Sequence, residues 1–319
     1  MTEPAPPPAA VPEPAGVGVP PPAGAAYPQI LRGESYVWWR SLLGAVFGVG
    51  MFILLTGVVS QAVVTLVWSL TSGDYSYADY YREAFAFERP VGMLATNLGI
   101  ATLIPITWVL MMGVHQVRPR WLSSVRPRIR WPYLLGSLLV AVVALNGVLV
   151  LSSLVDDEDV RFDPQPGLWM FLVVILLTSP LQAIAEEVFF RGYLMQALGS
   201  LVAQPWFGVV VSAVVFALLH GVQNPALFAS RLAFGLLAGI LVWRTGGLEA
   251  PIAAHIVNNV CAYSIAGFTT SIAELKAIRE ITWGDAAFDV GGFALFAVLA
   301  YVLFRLLRLP NRVALTPAE

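Results

Sequence analysis

Apolar runs recur along the chain at lengths that match the thickness of a bilayer, with short polar stretches between them. Crossing the hydrocarbon takes about 20 apolar residues. Runs of about that size fall at 41–70, 91–114, 133–155, 168–187, 206–222, 227–243, 248–267 and 288–307. They predict an all-α fold, a polytopic membrane bundle of about eight transmembrane helices. Only Gly221 to Ala226 separates the fifth run from the sixth, with Asn224 and Pro225 as the turn, so these two also read as one broken hairpin. Residues 1–35 hold ten of the 23 prolines, offer no apolar periodicity and predict a disordered tail. The transmembrane domain is expected over 36–309 and a short C-terminal tail over 310–319. The tail lacks the basic start and continuous apolar stretch of a cleaved signal, so the first span is expected to act as its own insertion signal.

Composition agrees with this pattern. The 319 residues are 58% hydrophobic and 12% charged, with a mean hydropathy of +0.74, whereas soluble domains carry about 25% charged residues. One cysteine, Cys261, builds no disulfide framework, and a net charge of -2 gives no basic footprint, which excludes nucleic acid as a partner. The expected partner is the lipid bilayer and the expected location the cell membrane, in multi-pass form; nothing in the sequence specifies an oligomeric state.

Charge placement sets the orientation, because cytoplasmic loops collect Lys and Arg. With both termini cytoplasmic, Arg32, Arg40, the run Arg118 to Arg130, Arg191, Arg244, Arg305, Arg308 and Arg312 share one side, 12 of the 18 basic residues. Acids gather opposite, among them Asp74, Asp79, Asp156 to Asp159, Glu274 and Glu280. Trp38, Trp39, Trp68, Trp131, Trp169, Trp206 and Trp243 lie near span ends, as interfacial anchors do. No internal repeat or matched pair of broken helices points to a secondary transporter.

Ionisable groups inside spans are costly and mark functional candidates. They concentrate in three stretches: Glu186-Glu187 with Arg191, Phe216 with His220, and His255 with Asn259. Taken as a helix end, the first stretch places Glu187 and Arg191 four residues apart, so that they neutralise each other as a clamp. Glu186 points about 100° away and needs a partner from another helix. Asn259 follows His255 by one turn, on the same face. A carboxylate, two imidazoles and a carboxamide from three helices make a hydrolytic site: base and one imidazole hold a water, while the other imidazole and the amide stabilise an oxyanion. Singly, each of His220, His255 and Asn259 is as readily a helix-packing group; their combination with an unpaired Glu186 favours function.

At these residues the sequence resembles the CPBP family of intramembrane endopeptidases, also called the CaaX-protease or Abi family. The motifs Glu-Glu-x-x-x-Arg, Phe-x-x-x-His and His-x-x-x-Asn occur in order, at Glu186-Glu187 to Arg191, Phe216 to His220 and His255 to Asn259. The resemblance covers about 168–267. It implies an all-helical fold of eight spans and a glutamate-protease mechanism. Glu186 with His220 would activate the water, His255 with Asn259 would form the oxyanion hole, and Glu187 with Arg191 would brace the first motif. The implied substrate is a membrane-associated peptide cut near the cytoplasmic side. An Arg to Lys ratio of 17 to 1 and abundant Ala, Val and Pro point to a GC-rich bacterial genome, where prenylated CaaX substrates are not expected.

Zinc held by Glu186, His220 and His255 is the alternative chemistry, but no His-Glu-x-x-His stretch presents two ligands on one helix; the expected cofactor is none. A silent immunity or scaffold protein and, more weakly, a proton-coupled transporter are the alternative functions. Depth poses one difficulty. Counting 1.5 Å per residue places His255 about 11 Å and His220 about 21 Å from the cytoplasmic face, although the two need to meet. Tilted helices, a cytosolic extension of the fifth helix before Trp206, a break near Pro205 or a kink at Pro180 would close that gap. Of the remaining groups, Arg231 is expected to snorkel to the outer interface, His115 to sit at the interface beside the basic loop, and Cys261 to fill apolar space.

Overall fold

A computed structural model of the chain describes residue 18 and residues 20–71, 73–155 and 161–314. Among these residues the structure is helical, with isolated bridges at Ala26–Arg312 and Ser124–Gly247 and no strands. The helices are α1 (Trp38–Thr71), α2 (Tyr77–Phe85), α3 (Pro90–Ala101), α4 (Leu103–Val109), α5 (Trp131–Val155), α6 (Leu168–Glu186), α7 (Met195–Gly199), α8 (Trp206–Leu218), α9 (Pro225–Thr245), α10 (Glu249–Thr269), α11 (Ile272–Ala277) and α12 (Trp283–Leu306). Two π-helical stretches, Leu110–Val114 and Glu187–Leu194, continue α4 and join α6 to α7.

Every expected span is a helix, but among the described residues six helices rather than eight are long and apolar enough to cross a membrane: Trp38–Thr71, Pro90–Val114, Trp131–Val155, Leu168–Gly199, Pro225–Thr245 and Trp283–Leu306. Two segments depart from the expected count for different reasons. The 13 residues of α8 extend only about 20 Å. The 21 residues of α10 are long enough, but they carry Glu249, His255, Asn258 and Asn259. The molecule is a multi-pass helical membrane protein whose outward apolar side chains, such as Leu139, Val143 and Leu154, are more than 60% exposed to the surroundings, as lipid-facing residues are.

The helices pack so that α10 lies between α5 and α6, α9 between α8 and α12, and α3 between α1 and α6. The largest buried cluster includes Phe189, Phe190, Tyr193, Phe216, Phe234 and Ile252. It extends to Tyr27 and Ile30, which corrects the expectation of disorder over 1–35 for the part described. Tyr27 and Ile30 are fully buried, and the Tyr27 hydroxyl donates to the Leu122 carbonyl. Arg32 Nε donates to the Ser200 carbonyl at 2.8 Å. Apolar anchors within a proline-rich stretch hold it against the arginine-rich face, where it pairs with residues 312–313 of the C-terminal segment. Residues 1–17, 19 and 315–319, and the acids at 156–159, lie outside the described residues.

Candidate active site

The first motif does not end its helix. The chain continues from Glu186 through the π-helical stretch into α7, so the paired glutamates sit within a single rod from Leu168 to Gly199. A π-helical turn holds more residues than an α-helical one, so consecutive side chains diverge less around the axis. Both glutamates consequently face α10. His255 Nδ1 is 2.7 Å from Glu187 Oε1, and His255 Nε2 is 3.6 Å from Glu186 Oε2. Arg191 Nη1 donates to the same Glu187 oxygen at 2.8 Å. The expected Glu187–Arg191 clamp is present, and it is also tied to the imidazole; Glu186 has the other imidazole nitrogen beside it.

Burial makes this arrangement stringent, since an unpaired charge in an apolar interior is costly. Glu187 and Arg191 are 0% and 1% exposed, Glu186 8% and His255 6%. The guanidinium of Arg191 lies against two aromatic rings, 4.1 Å from the Phe216 ring centre and 4.9 Å from that of Phe234. The ring of Phe234 also meets His255 edge-on at 5.3 Å. Phe216, the first residue of the second motif, thus braces the first one. Phe234 belongs to no motif and looks in the sequence like any other core aromatic.

His220 occupies the turn that follows α8, with Nδ1 2.7 Å from the Phe216 carbonyl. A carbonyl only accepts, so Nδ1 carries the hydrogen and the neutral ring presents the Nε2 lone pair. The ring lies within electrostatic reach of both Glu186 and His255. Asn259 Nδ2 donates to Gln182 Oε1 at 2.8 Å, leaving its second N–H for another acceptor. Gln182, one turn before Glu186, belongs to no motif; as a polar residue in an apolar helix it carries a signal that is readable in the sequence.

The depth difficulty is resolved by unequal starting levels. Gly208 at the start of α8 packs so closely on the end of α7 that a Cβ there would lie 2.4 Å from the Met195 carbonyl oxygen and 2.7 Å from the Gly199 nitrogen. From that level Glu186 is 13 residues back along the rod and His220 is 12 residues forward, about 20 and 18 Å. Gly192 instead lies level with Leu248, 3.5 Å from a Cβ placed on it. From there Glu186 is six residues back and His255 seven forward, about 9 and 11 Å. α8 starts further toward the arginine-rich face than α10 does, and the three residues reach one level.

Two other expectations change. His115 is not an interfacial residue: it is 4% exposed, with Nε2 3.1 Å from the Tyr193 hydroxyl. Arg130, counted in the basic loop, is 5% exposed and grips Glu249 through two contacts, Nε to Oε1 at 2.8 Å and Nη2 to Oε2 at 2.7 Å. Its Nη1 also donates to the Thr245 carbonyl at 2.8 Å, fastening the turn between α9 and α10.

As to metal, among the described residues no three or more His, Cys, Asp or Glu side chains are grouped so as to hold an ion.

Fold and site together define a polytopic helical protein with a buried glutamate pair, two imidazoles and a carboxamide. Residues 168–261 match the Rce1-like family, described as type II CAAX prenyl endopeptidase Rce1-like. This stretch contains all three motifs up to Asn259, so the resemblance to CaaX-type intramembrane proteases is borne out. The chain is also similar to YyaK, an uncharacterized protein of Bacillus subtilis (strain 168), at 22% identity over 231 residues, 70% of this chain and 76% of that protein. An uncharacterized 24.3 kDa protein of Escherichia coli is 26% identical over 162 residues, 46% of this chain and 71% of its own length.

Proposed function

We propose that the protein is an intramembrane endopeptidase that hydrolyses a peptide bond of a membrane-associated substrate with Glu186 as general base. The observation that carries this reading is the buried juxtaposition of Glu186 Oε2 with His255 Nε2 at 3.6 Å, a separation that lets one water bond to both groups. Glu186 takes a proton from that water as it attacks the carbonyl carbon, and the Nε2 lone pair of His220 accepts a hydrogen bond from the same water. The carbonyl oxygen gains charge, which the second N–H of Asn259 and a hydrogen on His255 Nε2 stabilise. An imidazolium supplies that hydrogen, and with Glu186, Glu187 and Arg191 it makes a cluster of zero net charge. Protonated Glu186 then returns its proton to the leaving amine.

Glu187 and Arg191 do not touch substrate in this scheme. Glu187 holds His255 by Nδ1, and Arg191, packed against Phe216 and Phe234, offsets the charge of Glu187. No step passes through a metal. The test is the membrane proteome of the host carrying Glu186→Ala: a substrate should accumulate uncut, and plasmid-borne wild type should restore its cleavage. Full function of Glu186→Ala and His255→Ala in that host would instead establish a silent scaffold. Elemental analysis of active protein adds a second check, because one stoichiometric zinc would contradict the metal-free scheme.

A further inference from the structure

Three basic side chains lie within electrostatic reach of one another beside this site. Arg231 of α9 donates from Nη1 to Gln223 Oε1 at 2.8 Å and lies 3.5 Å from the His220 carbonyl, against the turn that carries His220. The segment after α11 is fastened to the same turn, since the Asn224 amide donates to the Arg279 carbonyl at 2.9 Å and Asn224 Nδ2 to that of Ile281 at 2.7 Å. The Arg279 guanidinium folds back to the carbonyls of Lys276 and Ile278 at 2.8 and 2.9 Å. Lys276 Nζ stands 5.0 Å from the Phe87 ring centre, and Phe87 also meets Tyr263 at 6.4 Å.

Tyr263 connects this group to the reaction centre. His255, Asn259 and Tyr263 follow one another at intervals of four along one face of α10. Tyr263 lies within electrostatic reach of both Glu186 and Arg231, and Lys276 within reach of Glu186, Arg231 and Arg279. Yet none of the three cations forms an ion pair within 4.0 Å among the described residues, although Glu274 and Glu280 belong to the same segment. Burial lowers the pKa of the Lys276 ammonium, with repulsion from Arg279 and then Arg231 adding to it. Neighbouring positive charges without an ion-pair partner repel one another, and an arriving anion relieves that repulsion.

We propose that Arg231, Lys276 and Arg279 form a subsite that binds a carboxylate of the peptide substrate and so selects and positions it beside Glu186. This rests on the peptidase reading and adds a specificity to it. The carboxylate belongs either to a chain terminus or to an acidic side chain; both present the same planar anion to Arg and Lys.

The test uses full-length protein in lipid nanodiscs and three palmitoylated, fluorescent apolar octapeptides: a free C-terminus, an amidated C-terminus with one Glu, and an amidated C-terminus without acid. Binding is read by anisotropy in the Glu186→Gln background, so it does not depend on turnover. At least one carboxylate peptide should bind about tenfold more tightly than the uncharged one, and which one identifies the source of the carboxylate. Lys276→Gln and Arg279→Gln should remove that advantage without altering binding of the uncharged peptide, and Lys276→Arg should retain it. With Glu186 intact, Lys276→Gln should raise KM for a cleaved carboxylate peptide and leave kcat unchanged. Equal binding of all three peptides, no binding of any, or insensitivity to both Gln substitutions overturns the subsite. Charge-dependent binding without any cleavage would overturn the peptidase reading alone.

Discussion

His255 meets two adjacent carboxylates, one at each ring nitrogen, and this fixes what substitutions around it should do. Glu187 and Arg191 hold one side of the ring, so the other nitrogen stays directed at Glu186. In the proposed mechanism Asn259 acts only on charge that develops during reaction. Asn259→Ala should therefore lower kcat about 10²-fold, the usual cost of one oxyanion donor, with a smaller change in KM; steady-state cleavage of an anchored peptide checks this. His115 offers a test independent of catalysis. Burial, with Arg40 adding to it, pushes its imidazole down from the ordinary 6.5 to about 4. The folded protein keeps the ring neutral where the unfolded chain takes up a proton. Its contribution to stability is complete above pH 6.5, declines as pH falls through that value toward 4, and is fully lost below. A displacement of that size corresponds to about 3 kcal/mol. Melting in detergent from neutral pH down to about pH 4 should show the decline, and His115→Gln should flatten it.

At the scale of elements, the site depends on where α8 and α10 begin. A Cβ on Gly208 would collide with backbone atoms of Met195 and Gly199. Gly208→Leu should push α8 off α7, carry His220 away from Glu186 and abolish cleavage even though every motif residue remains; activity and melting temperature of the variant together check this. Arg130 performs a related task for α10. Arg130→Ala leaves Glu249 buried without its partner and should cost about 3–5 kcal/mol, whereas replacing both residues with apolar ones should cost less; melting of the single and double variants makes the comparison.

The same elements show how far the sequence can be read. Glu186, Glu187, His220, His255 and Asn259 stand out because each is a polar group in an apolar run, and their motifs locate them without any structure. The π-helical stretch at Glu187–Leu194 is invisible there, because nothing in its residues distinguishes the wider turn from an α-helical one. Without it, Glu187 looks committed to Arg191 alone. The levels of His220 and His255 are equally hidden, because hydropathy marks where apolar residues end and not how far a helix extends past them. The continuation to Gly199 consists of residues buried by protein, including Tyr27 and Ile30 from a stretch whose proline content suggests disorder. Arg130 illustrates the same limit, since a topology-setting arginine and a buried clamp have the same letter.

For the whole molecule, the bundle arranges its charges by face. Residues 20–35, 118–130, 244–249 and 305–314 assemble on the arginine-rich side, through Arg130 to Glu249, Arg32 to Ser200 and the pairing of Ala25 and Ala26 with residues 312–313. Both described ends of the chain meet there, which requires an even number of crossings. Single cysteines introduced at Gly33 and at Asn311 in a Cys261→Ala background should both be protected from an impermeant thiol reagent in intact cells, while one at Asp74 should be labelled.

The central claim concerns Glu186 as the base, and the most direct measurement is the cleavage rate of one anchored peptide by purified wild type and Glu186→Gln in the same lipid. Glutamine keeps the shape and removes the proton acceptor. A fall of about 10³-fold or more in kcat with unchanged melting temperature is the predicted result. Cleavage by Glu186→Gln at the wild-type rate would contradict the account.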